Sequence, residues 1–228
     1  MIRLHFVVEG QTEETFVREI LAPELAGRTL IIDAHRITTG RKKGRLYRGG
    51  FVSYAHLRND LSLWMKQERS SDARFTTMID LYRLPSDFPG TSKCRMSSDP
   101  LKRVQCLESQ LAIDLKDYRL IPYIQLHEFE SLLLSQTEAF SAAFPSRDFE
   151  IEQLRGIREA FPSPEHINDG ANTAPSKRIC GLFSDYAKTS YGIAVAKAVG
   201  LAKMRAECRH FNSWIETLFR LSDPGSNV

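Results

Sequence analysis

The stretch MIRLHFVVEGQTEE, residues 1–14, decides the fold that the rest of the chain completes. Ile2 to Val8 is an apolar run with the character of a β-strand, and Glu9-Gly10 ends it. The polar residues that follow suit the first turn of a helix, with Thr12 as its expected N-cap and two acids where the helix dipole favours them. A carboxylate between a first strand and the helix behind it stands where open α/β sheets bind their ligands.

The same alternation of apolar strands and amphipathic helices continues to about residue 140. Strands are expected at residues 3–8, 30–37, 74–81 and 120–126, and further helices at 52–67, 100–115 and from 128 onward. This order favours a parallel sheet with right-handed crossovers. We therefore predict an α/β domain over residues 1–140, in which helices flank a parallel four-stranded sheet.

The remaining residues are expected to be helical. Short amphipathic segments separated by prolines predict a helical C-terminal region, residues 141–222, packed on the sheet. Residues 223–228 are predicted to form a flexible tail.

Bulk properties limit the class of protein. The chain has 228 residues, of which 42% are hydrophobic and 26% charged, as in ordinary globular proteins. No apolar run approaches the roughly 20 residues that cross a bilayer, and Glu9, Glu13 and Glu14 interrupt any leader-like N-terminus. We expect a cytoplasmic protein without membrane contact.

The cysteines give no sign of a metal or a covalent link. Cys94, Cys106, Cys180 and Cys208 are widely separated and form no Cys-x-x-Cys pair. A thiolate zinc site is therefore not expected, and no disulfide is implied.

Positive charge is concentrated in one segment, although the net charge is only +3. Between residues 36 and 48 there is no acid, and glycines punctuate the segment. Its basic residues are Arg36, Arg41, Lys42, Lys43, Arg45 and Arg48. This composition predicts a mobile basic loop suited to phosphates, the alternative being a solvated loop without a partner.

Acids recur where the predicted strands end. Asp80 ends the third strand, and His127-Glu128-Phe129-Glu130 follows the fourth. Because the carboxyl ends of parallel strands meet at one edge of a sheet, acids at these positions suggest a divalent-metal site.

These features resemble the topoisomerase-primase (Toprim) domain across about residues 1–140. The likeness lies in a first strand ending in Glu-Gly and a later strand ending in an acid. Longer phrases resemble one bacterial Toprim-like family of unknown-function proteins over nearly the whole chain: VVEGQTEETFV (7–17), TTMIDLYRLPSDFPG (76–90), IPYIQLHEFESLLL (121–134) and APSKRI (174–179). Members of that family are often encoded beside ABC- or AAA-type ATPases in defence loci, which implies an ATPase partner.

The resemblance assigns roles to particular acids. In Toprim enzymes, a glutamate after strand one and an Asp-x-Asp pair after a later strand bind magnesium and position a phosphodiester. Glu9 matches the glutamate and Asp80 the first aspartate, with Mg²⁺ as the implied ion and Mn²⁺ as a substitute. Tyr82 replaces the second aspartate, so whether one or two metal ions bind stays open. The missing oxygen ligand would come from Asp87, Glu128 or Glu130.

Other residues have two readings each. Glu13 is either a first-turn acid that suits the dipole or a participant in the metal site. His127 and Glu130, three apart, would share a helix face, and His127 would act as a general acid or orient a carboxylate. The spacing is not His-Glu-x-x-His, so a zinc peptidase is not expected.

Predicted nucleic-acid contacts form two groups. Lys177 and Arg178 lie at a predicted helix start, where they can hold a phosphate or simply be exposed behind a Ser176 cap. The other group comprises Arg41, Lys42, Lys43, Arg45 and Arg48.

The preferred hypothesis is a magnesium-dependent nuclease, cleaving DNA or RNA, that is the effector subunit of an ATPase-coupled antiphage system. The chain has no Gly-x-x-x-x-Gly-Lys-Ser/Thr phosphate loop and is not expected to hydrolyse ATP. The alternative is a non-catalytic subunit that uses the Toprim scaffold to bind an ATPase partner or nucleic acid, which Tyr82 favours. A third hypothesis is a phosphatase or phosphotransferase acting on a small nucleotide. The choice between DNA and RNA and the oligomeric state stay open.

Overall fold

A computed structural model describes residues 1–27, 30–42, 45–48, 51–82, 84–167, 170 and 172–222, with the backbone alone for 39–42 and 45–48. The chain divides into two compact units: Met1–Ile124 together with the chain from Leu218, and Gln125–Thr217. The boundary predicted at residue 140 therefore falls inside the second unit. The predicted tail, 223–228, lies outside the described residues.

The first unit is an α/β structure, as predicted. Its elements in chain order are β1 (Ile2–Val8), α1 (Gln11–Phe16), a π-helical turn (Val17–Leu21), α2 (Ala22–Ala26), β2 (Leu30–Arg36), β3 (Thr38–Lys42), β4 (Arg45–Arg48), α3 (Tyr54–Gln67), β5 (Ala73–Asp80), α4 (Thr91–Cys94), α5 (Pro100–Leu115), β6 (Leu120–Ile121) and β7 (Ile124–Gln125).

The main sheet has the order β2-β1-β5-β6, and β7 also pairs with β5. The pairings of β1 with β2, of β1 with β5 and of β5 with β6 are parallel. In β1 and β5 nearly all residues toward the carboxyl end are buried, which is expected of central parallel strands covered on both faces. The carboxyl ends of these two strands consequently lie side by side.

The predicted fourth strand is divided in two. Pro122 has no backbone N–H to donate, so the ladder is interrupted between β6 and β7. The Thr77 hydroxyl accepts from the Tyr123 N–H at 2.9 Å and donates to the Tyr123 carbonyl at 2.8 Å. A side chain of β5 thus satisfies the backbone groups that the interruption exposes.

The prediction of a mobile basic loop between residues 36 and 48 is wrong for the backbone, which forms strands there. β3 and β4 form an antiparallel pair, with Arg41 opposite Leu46 and Lys42 opposite Arg45. Threonine and tyrosine favour strands, and this signal was obscured by the glycines between them. Lys43 lies outside the described residues, as do the side chains of Arg41, Lys42, Arg45 and Arg48.

The cysteine prediction is also wrong at one pair. Cys94 at the end of α4 and Cys106 in α5 form a disulfide, with their Cα atoms 5.7 Å apart. Gly90, in the left-handed region at φ 80°, turns the chain so that α4 returns against α5. A Cβ at Gly90 would lie 2.3 Å from Gln110 Cγ, so only glycine permits this approach.

The second unit is helical, as predicted for the C-terminal region. It contains α6 (Glu130–Leu133), a 3-10 helix (Thr137–Ala142), α7 (Asp148–Glu159), a second 3-10 helix (Pro164–His166), α8 (Pro175–Leu182), a π-helical turn (Lys188–Gly192), α9 (Ile193–Glu207) and most of α10 (Arg209–Arg220). Aromatic side chains form part of its core, among them Phe140, Phe144 and Phe183. Over the described ranges, the structure contains no helix with the length and apolar character needed to cross a membrane.

Candidate metal centre and nucleic-acid contacts

The candidate site of the first unit lies where β1 and β5 end. The Glu9 N–H donates to the Met78 carbonyl at 3.1 Å, which extends the pairing of the two strands by one residue. The Asp80 N–H in turn donates to Glu9 Oε2 at 3.1 Å. The Glu9 carboxylate is therefore directed toward the backbone of Asp80, at the carboxyl edge of the sheet.

Glu13 lies close to Gly10, the residue after Glu9. The helix begins at Gln11 with extended Gly10 as N-cap, so the predicted cap at Thr12 is wrong. A Cβ on Gly10 would lie 3.1 Å from Glu13 Oε2, closer than most neighbours tolerate. Glu13 and Asp80 are 3% and 7% exposed. Buried carboxylates are costly unless cations or hydrogen bonds compensate them, and an oxygen-rich group of this kind suits a hard divalent ion.

Glu14 has a different environment from its neighbour. It accepts a hydrogen bond from Arg18 Nη2 at 3.2 Å and forms an ion pair with Arg36, whose Nε atom lies 2.9 Å from Glu14 Oε2. Arg18 also donates to the Ala34 carbonyl at 3.0 Å, so these contacts tie α1 to β2. Glu14 is thus a structural acid at the same edge.

Asp87, considered as a replacement for the missing second aspartate, is engaged at the start of α3. It accepts from the Tyr54 N–H at 3.0 Å and from the Ser53 hydroxyl at 2.7 Å. These hydrogen bonds, of which the one from the Tyr54 N–H has the largest effect, hold the pKa of Asp87 below its usual range. The Asp87 carboxylate therefore stabilises a helix N-terminus.

His127 is not on a helix. It has a positive φ of 61°, and α6 begins only at Glu130. The prediction that His127 and Glu130 share a helix face is therefore wrong. The His127 Nε2 atom lies 3.1 Å from the Glu165 carbonyl oxygen, and the ring is buried.

Glu128 and Glu130 have partners within the second unit. Glu128 accepts from the Ser176 N–H at 2.9 Å and from its hydroxyl at 3.0 Å, at the start of α8. Ser176 is thus held by Glu128 and is not the predicted cap; the N-cap residue is Ala174. Glu130 lies 3.4 Å from Lys188 Nζ and 3.5 Å from the Tyr186 hydroxyl.

The surroundings of Glu130 are strongly desolvated. Glu130 is 2% exposed. Burial raises the pKa of Tyr186 most, and the negative charge of Glu130 raises it further. The same two causes raise the pKa of Cys180. Tyr186 therefore stays a neutral hydrogen-bond donor over the physiological pH range.

The two basic residues predicted at α8 differ in exposure. Lys177 is exposed. Arg178 donates from Nε to the Thr173 carbonyl at 2.7 Å, and its guanidinium lies 5.3 Å from the centre of the Phe161 ring. Lys177 is thus available to a phosphate, whereas Arg178 is partly used within the second unit.

Sequence reasoning missed two arginines that share a cavity. Arg95 and Arg103 line a cavity of about 200 Å³ together with the disulfide residue Cys94 and with Leu81, the residue after Asp80. Arg95 follows α4, which the disulfide attaches to α5. The signal was weak, because Arg95 lies in a polar stretch without regular spacing.

The donor set fits magnesium. Within the described residues, no three or more histidine, cysteine, aspartate or glutamate side chains form a group that could hold a metal ion. Magnesium, however, commonly takes one or two carboxylates and fills its other positions with water and substrate phosphate. Glu9 and Asp80 match that requirement in type and in location.

These features define an α/β protein in which two neighbouring parallel strands each end at an acid. The chain belongs to the family described as a domain of unknown function (DUF4276), whose profile matches residues 8–219. No curated protein matches the sequence.

Two solved structures have weak similarity. The C-terminal region of the Burkholderia pseudomallei OLD protein is 13% identical, with 98% of this chain and all of that chain covered and a TM-score of 0.45. The C-terminal region of the Xanthomonas campestris pv. campestris OLD protein is 13% identical, with 95% and 97% covered and a TM-score of 0.41. The function is therefore inferred from the residues themselves.

Proposed function

We propose that the first unit is a magnesium-dependent phosphodiester hydrolase that acts on nucleic acid. The observation that carries this proposal is the hydrogen bond from the Asp80 N–H to Glu9 Oε2, which places two acids at the ends of neighbouring parallel strands. The Toprim resemblance assigns metal binding to these same two residues. Glu13, buried close to Gly10, is a third carboxylate of the same strand-to-helix segment.

Each group has a chemical role. Glu9 and Asp80 would hold the ion, which when bound polarises a phosphate and promotes deprotonation of an attacking water. Glu13 would orient that water or accept its proton. Arg95 and Arg103, which line a cavity with Leu81, would bind phosphate oxygens of the substrate.

The finer parts of the proposal follow from the resemblance. Lys177 and the residues of the β3–β4 hairpin would contact the nucleic-acid backbone. An ABC- or AAA-type ATPase would be the partner, and antiphage defence the setting. Glu128 and Glu130 have partners within the second unit, so the proposal assigns the ion to Glu9 and Asp80 alone.

A second candidate is a non-catalytic subunit that binds nucleic acid or an ATPase. Tyr82 in place of a second aspartate favours it, as does the use of Asp87 at the start of α3. The two candidates make opposite predictions about cleavage.

A cleavage assay separates the candidates. Single- and double-stranded DNA and RNA are incubated with the full chain and Mg²⁺ or Mn²⁺, with and without the ABC- or AAA-type ATPase that the proposal requires as partner. We expect metal-dependent cleavage that falls at least about 100-fold in Glu9→Gln and in Asp80→Asn, because metal polarisation contributes several kcal/mol to such reactions. Glu14→Gln, a neutralised acid at the same edge, should keep most of the activity. If no substrate is cleaved with either metal or with the ATPase, the hydrolase proposal is refuted and the non-catalytic candidate is preferred.

A further inference from the structure

A second basic surface lies at the opposite, amino end of the sheet. β5 and β6 are parallel neighbours, with Phe75 opposite Leu120, so the turns that precede them are adjacent. A cavity of about 390 Å³ lies between these turns, and Arg69, Lys116, Tyr118 and Arg119 are among its lining residues. We call Arg69, Arg74, Lys116 and Tyr118 the amino-end patch.

Arg119 braces the two turns and is not itself available. It donates to the carbonyls of Met65 at 2.9 Å and Glu68 at 2.6 Å, and to Asp117 at 2.7 Å. Its guanidinium lies 5.1 Å from the centre of the Phe75 ring, and the residue is 8% exposed. The turns therefore have a fixed geometry before any ligand arrives.

Two cations of the patch, Arg69 and Arg74, keep their charge available. Arg69 donates to the Lys66 carbonyl at 3.3 Å and Arg74 to the Ser71 carbonyl at 2.7 Å, so both bond to neutral groups. Two of the neighbouring acids are used by arginines: Asp117 by Arg119, and Glu68 by Arg3 at 2.8 Å. With the exposed Asp72 included, four cations stand against three acids around the cavity, so the excess of positive charge is small.

Tyr118 gives the patch an aromatic surface. It is 74% exposed, which is unusual for a tyrosine, and the Arg74 guanidinium lies 6.0 Å from the centre of its ring. An exposed ring among cations is how proteins hold single strands, because a base stacks on the ring while phosphates contact the charges.

Lys116 occupies a position where glycine would be preferred. It ends α5 in the left-handed conformation, with φ 53° and its N–H donating to the Ala112 carbonyl. Glycine adopts this conformation without a steric cost, whereas lysine adopts it only at such a cost. A cation at this position is therefore explained better by binding than by folding, although the helix dipole also favours it.

We propose that the amino-end patch binds single-stranded nucleic acid, with phosphates on Arg69, Arg74 and Lys116 and a base stacked on Tyr118. This goes beyond the proposed hydrolase, because binding at this end of the sheet requires neither the acids nor a metal. The patch would hold a strand away from the acids at the carboxyl edge.

Fluorescence anisotropy with a labelled oligothymidylate of about 16 nucleotides, the upper range of single-strand sites, tests the patch. EDTA is present throughout, so a failure of the hydrolase proposal does not affect the result. In Arg69→Ala/Arg74→Ala/Lys116→Gly we expect the Kd to rise at least about tenfold and the slope of log affinity against log salt to fall by about 2, since each single-strand phosphate contact contributes about 0.7. Because glycine suits position 116, Lys116→Gly alone should weaken binding without lowering the Tm.

Matched variants distinguish this surface from general attraction to anions. Lys102→Ala/Arg155→Ala/Lys203→Ala removes the same charge elsewhere and should leave the Kd within about twofold of the wild type. Tyr118→Ala should weaken oligothymidylate binding by about 5- to 150-fold, the usual effect of losing a stacked base, while Tyr118→Phe should not. Heparin, which has no bases, should be insensitive to Tyr118→Ala.

Three results would overturn the proposal. The first is no binding by the wild type at low salt. The second is an equal loss of affinity in the control triple variant. The third is a Tyr118→Ala variant that binds the oligonucleotide as the wild type does, which would reduce the patch to a nonspecific polyanion surface.

Discussion

Replacing Glu9 by glutamine distinguishes a metal ligand from a structural hydrogen-bond acceptor. Glutamine keeps a carbonyl oxygen that can accept from the Asp80 N–H, the bond that Glu9 makes at 3.1 Å. The substitution therefore retains the hydrogen bond and removes one negative charge beside Asp80 and Glu13. A structural role predicts a neutral or lower Tm for the variant, whereas a metal role predicts a higher one without metal.

The magnitude follows from Coulomb's law. Two unit charges about 4 Å apart interact by about 1 kcal/mol in water and about 4 kcal/mol at an effective dielectric of about 20, and the energy falls in proportion to their separation. Relief of this repulsion should stabilise the metal-free variant by about 1 kcal/mol, or about 2–4 °C in Tm for a chain of this size. In the wild type, free Mg²⁺ at about ten times its Kd should add about 1.4 kcal/mol, and the variant should lose most of that gain.

The assay is thermal unfolding with EDTA and with increasing Mg²⁺, followed by circular dichroism. Glu14→Gln is the matched control, since Glu14 lies one residue from Glu13 but pairs with Arg18 and Arg36. Loss of these partly exposed ion pairs should lower the Tm by the equivalent of about 0–1 kcal/mol and leave the Mg²⁺ response intact. The reasoning is refuted if Glu9→Gln lowers the metal-free Tm, or if Glu14→Gln abolishes the Mg²⁺ response as fully as Glu9→Gln does.

Three further predictions concern stability. Glu165 accepts from the N–H groups of His210 and Phe211, each at 3.0 Å, so Glu165→Gln should cost about 1–3 kcal/mol in urea unfolding, and an unchanged midpoint would contradict its capping role. Reduction of the Cys94–Cys106 disulfide, which closes a loop of sequence separation 12, should cost about 3 kcal/mol, measured with and without dithiothreitol and checked in Cys94→Ala/Cys106→Ala. Burial lowers the pKa of His5 despite the opposing charge of Asp33, so the unfolded chain binds the proton more readily than the folded chain does. The free energy of unfolding should therefore be full above about pH 6.5 and decline below it. His5→Asn should flatten that decline, measured as Tm against pH.

The main sheet could be predicted because its signals are local. Apolar runs bounded by turns fixed β1, β2 and β5 to within about one residue at each end, as far as such boundaries are ever defined. α5 was predicted with its observed bounds, since Asp99 accepts from the Leu101 N–H at 2.9 Å as N-cap and Pro100 suits the first helical position.

The missed features depend on distant contacts. The disulfide requires α4 to return against α5, and that return is set by the left-handed turn at Gly90, which the sequence does not distinguish from an ordinary loop glycine. The positive φ of His127 likewise depends on the packing of its ring against the Glu165 carbonyl, 38 residues away. Such contacts are decided by tertiary packing, about which local sequence patterns carry no information.

The acids illustrate the same limit, and also why Glu9 remains the best candidate. Asp87 caps α3 from 33 residues away, Glu128 caps α8 from 48, and Glu165 caps α10 from 45. The sequence offers Asp87 and Glu128 as metal ligands, and only the fold reveals that the N–H donor of each belongs to a helix start. Glu9 differs because its donor, the Asp80 N–H, belongs to the end of a strand. A helix start gains stability from a carboxylate, whereas a strand end has no such requirement. Glu9 therefore stays the proposed metal ligand, together with Asp80, whose backbone N–H it accepts.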